Sequence, residues 1–100
     1  MYQPEASIAI QVLPLGADDH IVPIVDKVIE YLKSTGNPVH VGPFETTVEG
    51  DFERLMEIIR EAQLICIREG APSVASYIKI FYYPHGGLMS IERKISKHQE

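Results

Sequence analysis

The side chains best equipped for chemistry lie in one short stretch. Thr46, Thr47 and Glu49 sit between a Gly42-Pro43 pair and a Gly50-Asp51 pair. Two hydroxyls and a carboxylate can recognise a small molecule that carries N–H donors or a positive charge. On a strand, Thr47 and Glu49 share a face and Thr46 takes the other. A purely structural role is the alternative, because threonine favours strands and a strand-borne glutamate is ordinarily a surface charge. No nucleophile, base and orienting group are spaced to act together, so binding is expected rather than catalysis.

Other chemistries lack their residues. His20, His40, His85 and His98 show no ligand spacing, and the single cysteine, Cys66, can form neither an internal disulfide nor a Cys-x-x-Cys metal site. Cys66 lies within Leu64–Ile67 on a helical pattern and reads as a small packing residue. Leu13-Pro14-Leu15-Gly16-Ala17 has one glycine and is followed by acids, which is poor material for a phosphate-binding loop. A net charge of −5 opposes a nucleic-acid footprint. No apolar run approaches the roughly 20 residues that span a bilayer. Met1-Tyr2-Gln3-Pro4-Glu5 lacks the features of a signal peptide. The expectation is a cytoplasmic protein without a resident cofactor, with neither nucleic acid nor membrane as a partner.

The elements that must position the Thr-Glu cluster follow from periodicity. Ala6 to Leu13 alternates, with Ile8, Ile10 and Val12 opposed to Ser7, Ala9 and Gln11, and predicts a half-buried strand. Asp18 or Asp19 is placed to cap a helix whose apolar stripe is Ile21, Ile24, Val25, Val28 and Leu32, stopped near Gly36. Val39 and Val41 mark a second strand. Gly42-Pro43 turns the chain into a third, from Phe44 to Glu49. Asp51 is placed to cap a second helix that carries Phe52, Leu55, Ile58, Ile59, Ala62 and Ile65 inward and ends near Glu69–Pro72. Val74 to Tyr83 predicts the last long strand, and Ser90 to about His98 a short tail helix.

The order β-α-β-β-α-β over one domain, residues 1–100, predicts an α+β ferredoxin-like sandwich. Its four-stranded antiparallel sheet has both helices on one face. The other face carries Ser7, Ala9, Gln11, Tyr77, Lys79, Phe81 and Tyr83, which is too aromatic to leave in water, so a second subunit is expected to cover it.

Phe44-Glu45-Thr46-Thr47-Val48-Glu49-Gly50-Asp51 resembles the Gly-Thr-x-x-Glu-Gly signature of the YkoF-like thiamine-binding family. Similarity runs along nearly the whole chain. It takes in Leu13-Pro14-Leu15-Gly16, Ser34-Thr35-Gly36, Gly70-Ala71-Pro72, Ile78-Lys79-Ile80 and Ser90-Ile91-Glu92-Arg93-Lys94. Glu45 replaces the glycine frequent before the threonine. Phe81-Tyr82-Tyr83 replaces an Asp-Asp-Arg run, which removes any contact made by that arginine. The resemblance implies a non-catalytic carrier or sensor that binds thiamine or its hydroxymethylpyrimidine part, in dimers that pair to tetramers through their sheets. Gln11, Thr46, Thr47 and Glu49 would meet the aminopyrimidine edges, and Tyr77, Phe81 or Tyr83 a thiazolium cation. Thiamine is expected to bind more tightly than its diphosphate. The competing reading is an oligomeric interaction subunit in which the Thr-Glu cluster only stabilises the hairpin.

Overall fold

A computed structural model describes residues 4–85 and Ile91. The tail helix expected from Ser90 to His98 lies outside the described residues except at Ile91, which is helical. The elements are β1 (Ala6–Leu13), α1 (Ile21–Ser34), β2 (Val39–Val41), β3 (Thr46–Gly50), α2 (Phe52–Arg68) and β4 (Ala75–Tyr82). The sheet order is β2-β3-β1-β4, with every neighbouring pair antiparallel. This is the ferredoxin-like α+β sandwich. No helix among the described residues is long and apolar enough to cross a membrane.

Alternation along β1 decides which face is core. Ile8, Ile10 and Val12 are buried in one cluster with Val48, with Ile24, Val28 and Leu32 of α1, and with Leu55, Ile58, Ala62 and Cys66 of α2. Both helices therefore lie on the even-numbered face of β1. Ile21, which sequence periodicity places on the α1 stripe, is exposed at the helix start. A stripe of three residues spaced by four already fills the groove above the sheet.

The two helix starts differ from expectation. Asp18 and Asp19 do not cap α1. They form a 3₁₀ turn, Asp18–His20, that runs directly into the helix, with the Ile21 N–H donating to the Asp18 carbonyl. Asp51 does occupy the N-cap position of α2, but its side chain makes no cap bond. Glu5 does this work instead: its Oε1 accepts from the Phe52 N–H at 2.9 Å. A carboxylate also complements the positive end of the helix dipole. The Glu5 carbonyl accepts from the Tyr83 N–H at 2.8 Å, so one residue ties the start of β1 to both α2 and the end of β4. Phe52 and Tyr82 stack beside it, ring centroids 4.3 Å apart.

The end of α2 is closed by a paired-amide motif. The Gly70 N–H donates to Ile67 and the Ala71 N–H to Cys66, with Gly70 at φ +107°. Glycine takes that conformation without strain. At the other end Gly50 is required for a different reason. A Cβ there would lie 2.2 Å from Asn37 Nδ2, which donates to the Glu49 carbonyl and pins the chain between α1 and β2 against β3.

The cap assignment is directly testable. Glu5→Ala is expected to destabilise the fold by about 1 kcal/mol in denaturant unfolding, whereas Asp51→Ala leaves the midpoint nearly unchanged. The reverse order would show that Asp51 is the working cap.

Candidate functional site

The hairpin that carries Thr46, Thr47 and Glu49 is turned more tightly than the sequence pattern implies. The Gly42 N–H donates to the Glu45 carbonyl at 3.0 Å, closing a four-residue turn. Phe44 and Glu45, expected in the strand, are therefore in the turn, and β3 begins at Thr46. Phe44 stands 79% exposed.

This turn shapes the site. β4 pairs with β1 along its full length, from Ala6 to Leu13, but β3 pairs only from Ala6 to Ile10. The backbone groups of β1 alternate in direction. The Glu5 carbonyl accepts from β4's end, so odd-numbered residues of β1 point toward β4 and even-numbered ones toward β3. Val12 thus turns its N–H and carbonyl toward β3 where β3 has already ended. Its place in the ladder would be filled by Phe44, which the turn has carried away. A cavity of about 260 Å³ occupies the gap, lined by Ile10–Leu13, by Val25, Val28 and Ile29 of α1, and by Gly42–Thr46.

The candidate residues divide among three places. Thr46 is on the helix side, buried, and lines this cavity. Gln11 also lines the cavity and is paired in register with Tyr77. Thr47, Tyr77 and Phe81 lie on the outer face: Thr47 stands opposite Ala9 and His40, and Phe81 opposite Ser7. Tyr77 and Phe81 are exposed there, and Tyr83 is exposed just past β4. Lys79 reaches across this face to Glu45, Nζ to Oε1 3.1 Å.

Glu49 stands apart. Its register partner is Ser7 on the outer face, yet it is 2% exposed and Ser7 7%. Ile91 packs there, and its backbone N–H donates to Glu49 Oε2 at 2.7 Å. A second subunit was expected to cover the whole outer face. At Glu49 the chain's own Ile91 meets this face, while Tyr77 and Phe81 stay exposed on it.

Val25, Ile29, Phe44 and Glu45 line the cavity but carry no signal as site residues in the sequence. The one hint is that α1 buries Ile24, Val28 and Leu32 fully, which leaves Val25 in excess of the core. Cys66 is buried in α2 with its Sγ 3.6 Å from the Ala62 carbonyl, and burial pushes its thiol above the usual range. No group of three or more His, Cys, Asp or Glu side chains able to hold a metal occurs among the described residues.

The sequence model of the thiamine-binding protein family matches residues 8–99. A UPF0045 protein of Clostridium perfringens is 43% identical over 93 residues, covering 93% of this chain and 96% of its own length. The chain belongs to the thiamine-binding protein family. A domain of unknown function, DUF77, from Bacillus cereus superposes with a TM-score of 0.86 at 31% identity, covering 98% of this chain and 93% of that one. A Thermotoga maritima protein named for a candidate role in thiamine biosynthesis or salvage superposes at 0.82 with 32% identity, covering 96% and 100%.

Two outcomes follow from this geometry. Glu49→Ala strips the Ile91 amide of a buried acceptor and is expected to cost about 1–3 kcal/mol. In hydrogen exchange the Ile91 amide should lose protection before the sheet does; unchanged protection there would contradict the contact. Burial of Cys66 favours its neutral thiol, so that stabilisation holds below the ordinary thiol range and is lost as pH rises through the elevated folded value. At neutral pH iodoacetamide should label Cys66 only as the protein unfolds, and rapid labelling of the native state would contradict its burial.

Proposed function

We propose that this chain is a non-catalytic thiamine-binding protein of the cytoplasm, a carrier or sensor, and that the hydroxymethylpyrimidine ring occupies the cavity under α1. The observation that carries this reading is the unpaired strand edge of Val12 beside the Thr46 hydroxyl. An aminopyrimidine presents a ring-nitrogen acceptor next to an amino donor. Val12 presents an N–H donor and a carbonyl acceptor, the complement of that edge. The ligand would take the ladder position that Phe44 vacates, with the Thr46 hydroxyl as a third contact. Val25, Val28 and Ile29 supply apolar surface for the ring faces.

Size supports one ring inside and one outside. The cavity is below the roughly 300–1,000 Å³ of clefts that enclose drug-sized ligands. The thiazolium is left at the mouth, where exposed Phe44 offers a cation–π surface. The lining includes no lysine or arginine, which favours thiamine over its diphosphate. In this reading Thr46 belongs to the ligand site, and Gln11, paired with Tyr77 on the outer side of β1, borders it. Thr47, Tyr77, Phe81 and Tyr83 belong to the outer face, and Glu49 holds the Ile91 region.

The exposed Tyr77 and Phe81 favour a second activity alongside the first, self-association through the outer sheet face. An interaction subunit with no ligand would use that face alone.

Calorimetric titration separates these readings. Thiamine and hydroxymethylpyrimidine should each bind saturably at micromolar concentration or below, with the diphosphate weaker. Val25→Trp should fill the cavity and lower affinity at least tenfold. Thr46→Val should lower it about two- to tenfold, the loss of one neutral hydrogen bond. Tyr77→Ala should change nothing. Absence of heat with folded protein, or full affinity in Val25→Trp, would refute the cavity as the site.

A further inference from the structure

The gap beside Val12 has two unlike ends. At one end the ladder between β1 and β3 closes with the Ile10–Thr46 pair, its last rung, and both residues are buried, Ile10 at 3% and Thr46 at 5% exposure. At the other end no rung follows. The lining there is Leu13, Gly42, Pro43 and Phe44, of which Pro43 and Phe44 are exposed. Chain direction sets the Val12 peptide groups against these ends. A residue's N–H precedes its carbonyl along the strand, so the Val12 N–H lies toward the closed Ile10 end and its carbonyl toward the open Leu13 end. A donor on the closed side and an acceptor on the open side make a polar edge that has a direction.

We infer that this direction makes the site a reader of the pyrimidine's amino edge that is indifferent to the group carried at C5. The inference rests on the cavity being the thiamine site. In the pyrimidine of thiamine the ring nitrogen N3 is flanked by the 2-methyl group. The 4-amino group beside it is flanked by C5, which carries the methylene. N3 faces the Val12 N–H and the amino group faces the Val12 carbonyl, because the reversed placement sets donor against donor and acceptor against acceptor. One orientation in the plane of the sheet remains. It sends the 2-methyl group to the closed end, against Ile10 and Thr46, and the C5 substituent out past Leu13 and Phe44. With no lysine or arginine in the lining, the bound class is the 2-methyl-4-aminopyrimidines with a neutral or cationic group at C5: thiamine, the free alcohol and the corresponding amine. A pyrimidine with an oxo group in place of the amino group carries N3–H and a carbonyl oxygen on that edge. Both Val12 groups then meet their own kind, and polar groups left unpaired are what lets a site reject an analogue strongly. A larger group at C2 is excluded by shape instead, since it meets a buried rung of the sheet.

Competitive calorimetry of the full chain with synthetic pyrimidines tests the inference. Thiamine, hydroxymethylpyrimidine and its 5-aminomethyl analogue are expected to bind within about tenfold of one another, as substituents that point to solvent should. The 4-oxo counterpart of hydroxymethylpyrimidine should bind at least about a hundredfold more weakly. The 2-butyl counterpart should bind at least about tenfold more weakly. Thr46→Ala, which opens the closed end, should narrow the 2-butyl gap and leave the 4-oxo gap as it is. Intermolecular nuclear Overhauser contacts in the hydroxymethylpyrimidine complex read the orientation directly: from the 2-methyl group to Ile10 and Thr46, and from the C5 methylene to Leu13 and Phe44. A 4-oxo analogue that binds as tightly as hydroxymethylpyrimidine, a 5-aminomethyl analogue that fails to bind, or contacts with the two ends exchanged overturns the inference and leaves the cavity as the thiamine site. Absence of binding by thiamine and hydroxymethylpyrimidine alike overturns the cavity reading and the inference with it. The ligand series on the wild type decides the matter even where Thr46→Ala fails to fold.

Discussion

β1 is paired unequally by its two neighbours, and the functional geometry depends on that inequality. On one side β4 follows it from Ala6 to Leu13; on the other β3 stops at Ile10. A strand inside a sheet ordinarily has both sets of backbone groups satisfied. Here Val12 is given a helix above it, an apolar wall and a hydroxyl beside it, but no strand neighbour on the β3 side. The Gly42–Glu45 turn is the cause. Its closing hydrogen bond consumes the residues that would have extended β3, and the cavity is the space they leave.

The same strand anchors the rest of the chain. Glu5, immediately before β1, reaches the start of α2 with its side chain and the end of β4 with its carbonyl. At the opposite side of β3, Glu49 takes the Ile91 amide. Two carboxylates thus hold backbone amides far away in sequence, and each converts an orphan donor into a tertiary link. The core alone fixes which faces meet. These links hold particular chain segments in place against it.

What the sequence makes legible divides along the same line. The βαββαβ order follows from local periodicity, because Ile8, Ile10 and Val12 alternate and Ile24, Val28 and Leu32 recur at helical spacing. The family follows from Thr46, Glu49 and Gly50 with their flanking motifs. Local chemistry misleads where a distant residue competes. Asp51 has the right type and position for a cap, yet it is Glu5, 47 residues before Phe52, that holds the Phe52 amide. Glu49 alternates onto the outer face and reads as a surface charge, yet it is buried and accepts a hydrogen bond from the distant Ile91 amide. Phe44 has strand propensity, but the Gly42 hydrogen bond to Glu45 overrides it. The cavity itself had no local signature, since it is made by a difference in length between two strand pairings.

The most direct test of the cavity account is the backbone amide spectrum of isotopically labelled protein during titration with hydroxymethylpyrimidine. Saturable shifts centred on Val12, Thr46 and Ile29, with Tyr77 and Phe81 unmoved, are the predicted result. Shifts centred on Tyr77, Lys79 and Phe81 with Val12 unmoved would contradict it, placing the ligand on the outer face and leaving the unpaired edge of β1 without the role assigned to it.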